Sequence, residues 1–127
     1  MESSGREILL DTNFLLDCLK YGIHLSEIER LMDEKFEILV PMNVISELES
    51  LNLKGKERER RKVTLKLIEN FKKIELEGKV DESILDYALK NRKRCLVCTN
   101  DGDLKSELRK SGVPVIFIRG KSHLEKI

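Results

Sequence analysis

The sequence predicts an α/β fold of three layers, in which helices cover both faces of a central parallel sheet of four to five strands. Along the 127 residues, short apolar runs alternate with segments whose apolar residues recur at helical spacing. Four of the five predicted strands are such runs, which is typical of strands buried on both faces of a sheet. Alternating strands and helices favour a parallel sheet with right-handed crossovers.

Each element has a local reason. Pro41 suits the first position of a helix, and Asp81 suits the cap of another. Residues 74–77 alternate with period two, which indicates an edge strand with one wet face. The predicted strands cover residues 8–10, 36–40, 74–77, 95–98 and 115–118. The predicted helices cover residues 14–19, 25–32, 41–51, 56–73, 81–89 and 104–110.

Length and composition predict one domain over residues 1–127, with a core at about 7–118 and a tail at 119–127 without strong pattern. Lys and Arg number 24 against 23 for Asp and Glu, so net charge alone indicates no partner. No apolar run approaches the roughly 18–20 residues of a membrane span, and the N-terminus lacks the apolar region of a signal peptide. We therefore expect a cytoplasmic protein without a membrane partner. Three cysteines argue against a closed disulfide framework.

Four acids occupy comparable points in this scheme. Asp11 directly follows the first strand, and Glu47 lies early in the helix after the second strand. Asp101 follows the fourth strand, with Asp103 beside it, and Asp81 opens the helix before that strand. Sites in open α/β sheets form outside the carboxyl ends of the strands. We therefore expect Asp11, Glu47 and Asp101 to meet at that edge, while the topology alone leaves the position of Asp81 open.

Carboxylates gathered in this way repel one another. Two unit charges about 4 Å apart cost about 4 kcal/mol at an effective dielectric constant of about 20. A divalent cation offsets that repulsion, and oxygen ligands favour Mg²⁺ or Mn²⁺. Such an ion can activate water and stabilise the charge that develops on a phosphodiester. Taken singly, each acid also has a structural interpretation, in which Asp11 and Asp81 cap helices, Glu47 is a surface residue and 101–103 is a polar turn.

Four short motifs together resemble the signature of PIN-domain nucleases. In that family one Asp follows the first strand, a Glu lies near a helix start, a third acid opens a helix and a fourth lies in a Thr-Asn-Asp turn. The matching stretches are Leu10–Asn13, Val44–Leu48, Asp81 with Ile84 and Ala88, and Thr99–Leu104. The resemblance covers about residues 7–118, and its ending at 112–119 is most similar to the small-subunit rRNA-processing branch. The VapC toxin branch is second.

The resemblance implies a metal-dependent endoribonuclease that cleaves single-stranded RNA in rRNA processing or RNA decay and leaves 5′-phosphate and 3′-hydroxyl ends. The catalytic residues and ligands of Mg²⁺ or Mn²⁺ that it implies are Asp11, Glu47, Asp81 and Asp101, with Asp103 in support. The residues that it implies as orienting the carboxylates or the attacking water are Thr12, Asn13 and Thr99. The partners that it implies are single-stranded RNA such as an rRNA precursor, a second copy of the chain, and an antitoxin or ribosome-assembly protein.

Three basic stretches are candidates for contact with phosphate, since phosphate backbones reward such patches through counterion release. The first stretch, 54–62, contains six basic residues and two acids. The second stretch, 90–94, precedes a strand and is expected at the edge opposite the acids, and the third comprises Arg119 and Lys121. A solvated helix face is the alternative interpretation. The RNA-binding candidates of the first stretch are Lys54, Lys56, Arg58, Arg60, Arg61 and Lys62.

Other functions stay open at this point. One is a non-catalytic RNA-binding or assembly module of the same fold. Another is a phosphoacceptor receiver or a haloacid-dehalogenase-like phosphatase, although Asn13 stands where that phosphatase needs its second Asp, and Arg119 where a receiver usually has Lys. Cys95 and Cys98 have redox-motif spacing, but residues three apart in a strand face opposite sides. We expect them to be packing residues.

Overall fold

The computed structural model describes residues 5–127 and has one central sheet flanked by helices. Its strands are β1 (Arg6–Leu10), β2 (Phe36–Pro41), β3 (Lys72–Ile74), β4 (Cys95–Cys98), β5 (Val115–Arg119) and β6 (His123–Lys126). Its α-helices are α1 (Thr12–Lys20), α2 (Ile28–Leu31), α3 (Met42–Ser50), α4 (Lys56–Leu67), α5 (Val80–Lys90) and α6 (Gly102–Lys110), and a 3-10 helix, Leu25–Glu27, precedes α2. Within residues 5–127, none of the helices is long and apolar enough to cross a membrane.

The sheet confirms the predicted fold class. Its six strands follow the order β3-β2-β1-β4-β5-β6, and neighbours among β1 to β5 pair in parallel. The apolar runs of β1 and β4 lie inside this sheet, and Ile8, Leu9 and Leu10 are each 0% exposed. α1 packs against α4, while α5 packs against α6 and β4. Right-handed crossovers place these two groups of helices on opposite faces, so both faces of the central strands are covered.

The third strand differs from the prediction. The helix predicted over 56–73 ends at Leu67, where Lys73 Nζ donates to the carbonyl oxygens of Ile68 and Phe71 at 2.8 and 2.7 Å. β3 then covers Lys72–Ile74 rather than 74–77. It pairs with the last residues of β2, which ends at Pro41 opposite Ile74. The alternating residues 75–77 therefore have no neighbouring strand with which to pair.

The C-terminal segment also departs from the prediction. Residues 119–127, expected as a tail, contain β6, which pairs antiparallel with β5. Gly120 and Lys121 both have φ of 58°, which is typical of a tight hairpin turn. Ile127 and Val115 exchange two backbone hydrogen bonds of 2.9 Å. β6 was missed because its one fully buried side chain, Leu124, gives no periodic signal.

We predict that Leu124→Ala lowers the free energy of unfolding by about 2–5 kcal/mol, because it leaves a cavity beneath β6. Urea denaturation measures this loss, and the slope of the unfolding free energy against urea concentration should stay unchanged. Lys126→Ala, an exposed position on the same strand, is the control and should change stability by less than about 0.5 kcal/mol. Equal losses in the two variants would show that β6 is not part of the cooperative core.

Candidate functional site

Four of the five predicted acids line a single cleft at the carboxyl edge of the sheet, outside the ends of β1 and β4. This cleft has a volume of about 370 Å³. Its lining residues are Asp11, Asn13, Glu47, Lys79, Val80, Asp81 and Asp101. Asp81, which topology left open, thus joins the other three acids, whereas Asp103 is exposed on α6 and does not line the cleft.

Asp11 is the buried acid of the cleft. It ends the turn from β1 and is the N-cap of α1, with 7% of its surface exposed. Its Oδ1 accepts a hydrogen bond from the backbone N–H of Thr12 at 2.9 Å, and its Oδ2 accepts one from Thr99 Oγ1 at 2.7 Å. Both oxygens are therefore held, as a buried carboxylate requires.

The Thr-Asn-Asp turn after β4 connects two of the acids. Thr99 Oγ1 donates to Asp11 and accepts from the backbone N–H of Asp101 at 3.1 Å. Asp101 in turn caps α6, because its Oδ1 accepts from the backbone N–H of Leu104 at 2.9 Å. One buried hydroxyl therefore fixes the separation between the β1 and β4 acids.

The pKa of Asp11 is raised above its ordinary value of 3.8. Burial is the main cause, because it penalises the charged form. The hydrogen bonds from Thr99 and Thr12 act in the opposite direction, while the negative charges of Glu47 and Asp101 raise the pKa further. These two acids are thus close enough to Asp11 to disturb its ionisation.

Glu47 and Asp81 are both exposed; Asp81 lies in the first turn of α5, whereas Glu47 lies in the second half of α3. Asn43 joins these two helices, since its Nδ2 donates to Ser83 Oγ at 2.8 Å and to the carbonyl of Gly78 at 3.2 Å. α5 begins at Val80 and its N-cap is the preceding residue, so Asp81 lies in the first turn instead of capping the helix as predicted. Its Oδ1 accepts from the backbone N–H of Glu82 at 2.9 Å.

Two cleft features escaped the sequence analysis. Lys79 is the basic residue that lines the cleft. Its position two residues before Asp81 is the sequence feature that could have indicated it. Asn43 does not line the cleft but links the two helices that carry Glu47 and Asp81. The sequence did not indicate this role, because an asparagine in a first helical turn is more often a local capping residue. Of the supporting residues, Asn13 lines the cleft, whereas Thr12 contacts Asp11 through its backbone and its buried Oγ1 has no hydrogen-bond partner within residues 5–127.

The donor set of the cleft fits a hard divalent cation. Four carboxylates face one ammonium group there, and oxygen ligands of this kind suit Mg²⁺ or Mn²⁺. As they stand, no three His, Cys, Asp or Glu side chains within residues 5–127 are grouped tightly enough to hold a metal ion. Glu47, Asp81 and Asp101 are exposed, so a cation would have to draw their carboxylates toward the buried Asp11.

The first basic stretch divides between structural and accessible side chains. Arg61 is half-buried and donates to the carbonyl oxygens of Leu48 and Leu51 at the end of α3, so its guanidinium is occupied by the fold. Lys62 lies 4.0 Å from Glu59. Arg60 is half-buried beside the cleft, and the exposed remainder are Lys54, Lys56 and Arg58.

The other basic stretches lie apart from the first. The carbonyl of Arg94 accepts from the N–H of Glu7 at 2.9 Å, at the amino end of β1. The stretch 90–94 is thus at the edge opposite the acids, as predicted. Arg119 forms an ion pair with Glu125 at 3.0 Å, and Lys121 Nζ lies 5.9 Å from the ring centre of Tyr21.

Comparison with known proteins decides the family. The family model described as a PIN like domain matches residues 8–121, a range that includes the cleft acids. The chain belongs to the PIN-like domain family. The predicted resemblance is therefore confirmed.

Three similar proteins extend this result. The chain is 38% identical over 125 residues to ribonuclease VapC4 of Methanocaldococcus jannaschii, covering 94% of this chain and 95% of that protein. It is 36% identical over 83 residues to ribonuclease VapC9 of Archaeoglobus fulgidus, covering 64% and 60% of the two chains. Among solved structures it is similar to the PIN domain endonuclease Utp24, with a TM-score of 0.76, 26% identity, and coverage of 95% and 92%.

We predict that Asp11→Asn changes the pH dependence of stability in the presence of EDTA. Because the native pKa of Asp11 is raised, the native state binds its proton more tightly than the unfolded state does. That contribution to stability is present at low pH and is lost as pH rises from about 3.8 through the native pKa. The stability of Asp11→Asn relative to wild type should therefore increase across that window.

Urea denaturation from pH 3.5 upward, at roughly constant ionic strength of about 0.1 M, measures the effect. Asp33→Asn removes an exposed carboxylate before β2 and serves as the control for loss of one charge. A difference between Asp11→Asn and wild type that is flat with pH would show that burial does not disfavour the Asp11 carboxylate.

Proposed function

We propose that this chain is a metal-dependent endoribonuclease that cleaves single-stranded RNA in the acidic cleft. The observation that carries the proposal is the convergence of Asp11, Glu47, Asp81 and Asp101, from four separate segments, on one cleft. A purely RNA-binding surface has no reason to hold that much negative charge beside phosphate. Relatives named as ribonucleases over nearly the whole chain support the same function.

The proposed ligands of Mg²⁺ or Mn²⁺ are the same four carboxylates, directly or through water, with Asp103 as an outer supporting residue. The bound ion would supply a Lewis acid and a nucleophilic water. Asp11 would be the rigidly positioned ligand, because Thr99 and the backbone of Thr12 hold both of its oxygens. Lys79, which lines the same cleft, would offset the negative charge that a phosphodiester gains during cleavage.

The accessible basic side chains of the first stretch are proposed to hold the RNA backbone beside the cleft. Lys56 and Arg58 are exposed at the start of α4. The same helix start lines a neighbouring pocket that shares Asn13 with the cleft. The chain has only four Phe, two Tyr and no Trp, so it offers little for base stacking. Contact with the phosphate backbone therefore fits better than an aromatic platform.

The comparisons do not favour the rRNA-processing branch over the toxin branch. The relatives of higher identity are named VapC ribonucleases, whereas the solved neighbour is the endonuclease Utp24. A VapC-type toxin ribonuclease is therefore at least as well supported as a role in rRNA processing. The predicted partners other than RNA, namely a second copy of the chain, an antitoxin or a ribosome-assembly protein, stay predictions.

We predict that Asp11→Asn, Glu47→Gln and EDTA each lower the rate of RNA cleavage by about a hundredfold or more. A metal ion contributes several kcal/mol of transition-state stabilisation, and about 1.4 kcal/mol corresponds to a tenfold change in rate. Cleavage of a labelled single-stranded RNA in Mn²⁺ or Mg²⁺ is the measurement. Mapping of the 5′ and 3′ ends tests the expected 5′-phosphate and 3′-hydroxyl products.

Asp86→Asn is the matched control, since Asp86 is an exposed acid on α5 that pairs with Lys90 and does not line the cleft. It should keep the wild-type rate. Undiminished cleavage after Asp11→Asn or EDTA would reject the metal-dependent mechanism. Salt-dependent RNA binding by wild type, with no cleavage in either metal, would instead identify a non-catalytic RNA-binding module.

We predict that Lys56→Gln combined with Arg58→Gln weakens RNA binding and flattens its salt dependence. Each lost phosphate contact on a single strand should reduce the slope of log K against log salt by about 0.7. Binding titrations in EDTA at several salt concentrations measure this slope. Arg92→Gln combined with Lys93→Gln removes the same charge at the opposite edge and should leave the slope nearly unchanged. Equal slopes for the two double variants would remove the first stretch from the RNA path.

A further inference from the structure

A second, smaller pocket adjoins the acidic cleft. It has a volume of about 140 Å³ and lies between α1, the segment after α3, and the start of α4. Asn13 lines both the pocket and the cleft, so the two are neighbours on the same surface. Leu16 and Leu53 provide apolar walls. The four charged side chains that line it are Asp17, Lys20, Glu57 and Arg60.

Within residues 5–127, no ion pair joins these four charged side chains to one another or to any other residue. Asp17 and Lys20 are three residues apart on α1, and Glu57 and Arg60 are three apart on α4, yet neither pair lies within 4.0 Å, nor does any pair across the pocket. Elsewhere in residues 5–127, pairs with the same spacing do form, as Glu27 and Arg30 do at 3.3 Å. The pocket therefore presents charged acceptors and donors that form no ion pair within the described residues.

Arg60 is the most informative of the four. Its side chain is half-buried, and its guanidinium takes part in no hydrogen bond or ion pair within the described residues. None of its nitrogen atoms is among the buried, unpartnered atoms of residues 5–127, so its donors are open to solvent. They are therefore available to a group that binds from outside the fold.

The opposite wall is held in place by the turn that carries the cleft acid Asp101. Asn100 Oδ1 accepts from the backbone N–H of Ile118 at 2.9 Å, and its Nδ2 donates to Asp17 Oδ2 at 3.1 Å. Asp17 Oδ1 makes no hydrogen bond within the described residues. One oxygen of Asp17 is thus anchored to the turn after β4, and the other is available as an acceptor.

We propose that this pocket binds one guanine base of the RNA strand whose phosphodiester lies in the acidic cleft. The inference rests on the proposed function and adds base selectivity to it. Guanine presents two donors, N1–H and N2–H, beside two acceptors, O6 and N7. Carboxylate oxygens of Asp17 and Glu57 would accept from the former, and Arg60 would donate to the latter.

The balance of charges favours a base over a phosphate. Two acids and two cations make the pocket neutral overall, whereas a phosphate site needs an excess of donors. Adenine, cytosine and uracil each lack the combination of two neighbouring donor groups and two neighbouring acceptor atoms that guanine has. Leu16 and Leu53 suit the faces of a base, which take apolar contacts. Lys20 Nζ lies 5.5 Å from the ring centre of Tyr21, so we assign it no contact with the base.

The test measures binding and cleavage of two single-stranded RNAs that differ by one guanosine placed within an otherwise guanosine-free strand. Wild type should bind the guanosine-containing strand about tenfold or more tightly in EDTA, as expected of one good base contact. In Mn²⁺ it should cleave that strand at a fixed distance from the guanosine. Inosine at the same position, which lacks the N2 amino group, should lose part of the preference.

Arg60→Met should abolish the preference, because it keeps the apolar stem and removes the donors. Arg58→Met, an exposed arginine two residues away, should weaken binding to both strands alike and keep their ratio. Glu57→Gln provides a second probe, since Glu57 is exposed and makes no contact that the fold requires. It should reduce the preference whether or not Arg60→Met folds, which circular dichroism checks.

Failure of the inference and failure of the proposed function give different results. Cleavage by wild type without guanosine preference, or a preference retained in both Arg60→Met and Glu57→Gln, would overturn the base pocket and leave the nuclease standing. Guanosine-selective binding in EDTA without cleavage in Mn²⁺ or Mg²⁺ would support the pocket and reject the nuclease. Equal effects of Arg58→Met and Arg60→Met on both strands would mark a phosphate contact and also overturn it.

Discussion

The hydrogen bonds that hold the buried carboxylate of Asp11 are the interaction on which the rest of the structure depends. A carboxylate with 7% exposure is expensive unless its oxygens are satisfied. Thr99 can reach it only if β4 lies beside β1 in the observed register, in which Leu10 pairs with Cys98. The backbone N–H of Asp11 also donates to the carbonyl of Cys98 at 3.1 Å. The central strand pairing and the acidic cleft are therefore one structural unit.

Acids gather around Asp11, and the basic side chains of the first stretch lie beside the cleft and not within it. Burial, and after it the neighbouring acids, raise the pKa of Asp11. The clustered negative charge also repels an approaching polyanion, so the cleft alone is a poor surface for RNA. The near-neutral total of 24 basic and 23 acidic residues conceals this local excess. The start of α4 supplies the opposite charge next to the cleft, with Lys56 and Arg58 exposed. Arg61 does not contribute, because it satisfies carbonyl oxygens at the end of α3.

What the sequence predicted well depends on strong local signals. The buried runs of β1 and β4, the acids after them and Glu47 in the helix after β2 follow from apolar patterning and strand ends, whereas Asp81 was indicated by the family resemblance. The prediction failed for β3 and β6, whose extents depend on pairing with a neighbouring strand. β6 has a single buried apolar residue, and β3 stops where β2 does. Side-chain uses such as that of Arg61 depend on which carbonyl lies nearby in space, which no spacing rule encodes.

The turn after β4 shows how closely the parts of the site are linked. Thr99 holds Asp11, Asn100 ties β5 to Asp17, and Asp101 lines the cleft while it caps α6. Three consecutive side chains thus connect the acidic cleft with the neighbouring pocket. Because the same backbone positions both, movement of the turn would displace an acid and a pocket wall together. Under the proposed function, selection of a base and alignment of the scissile phosphate are therefore mechanically coupled.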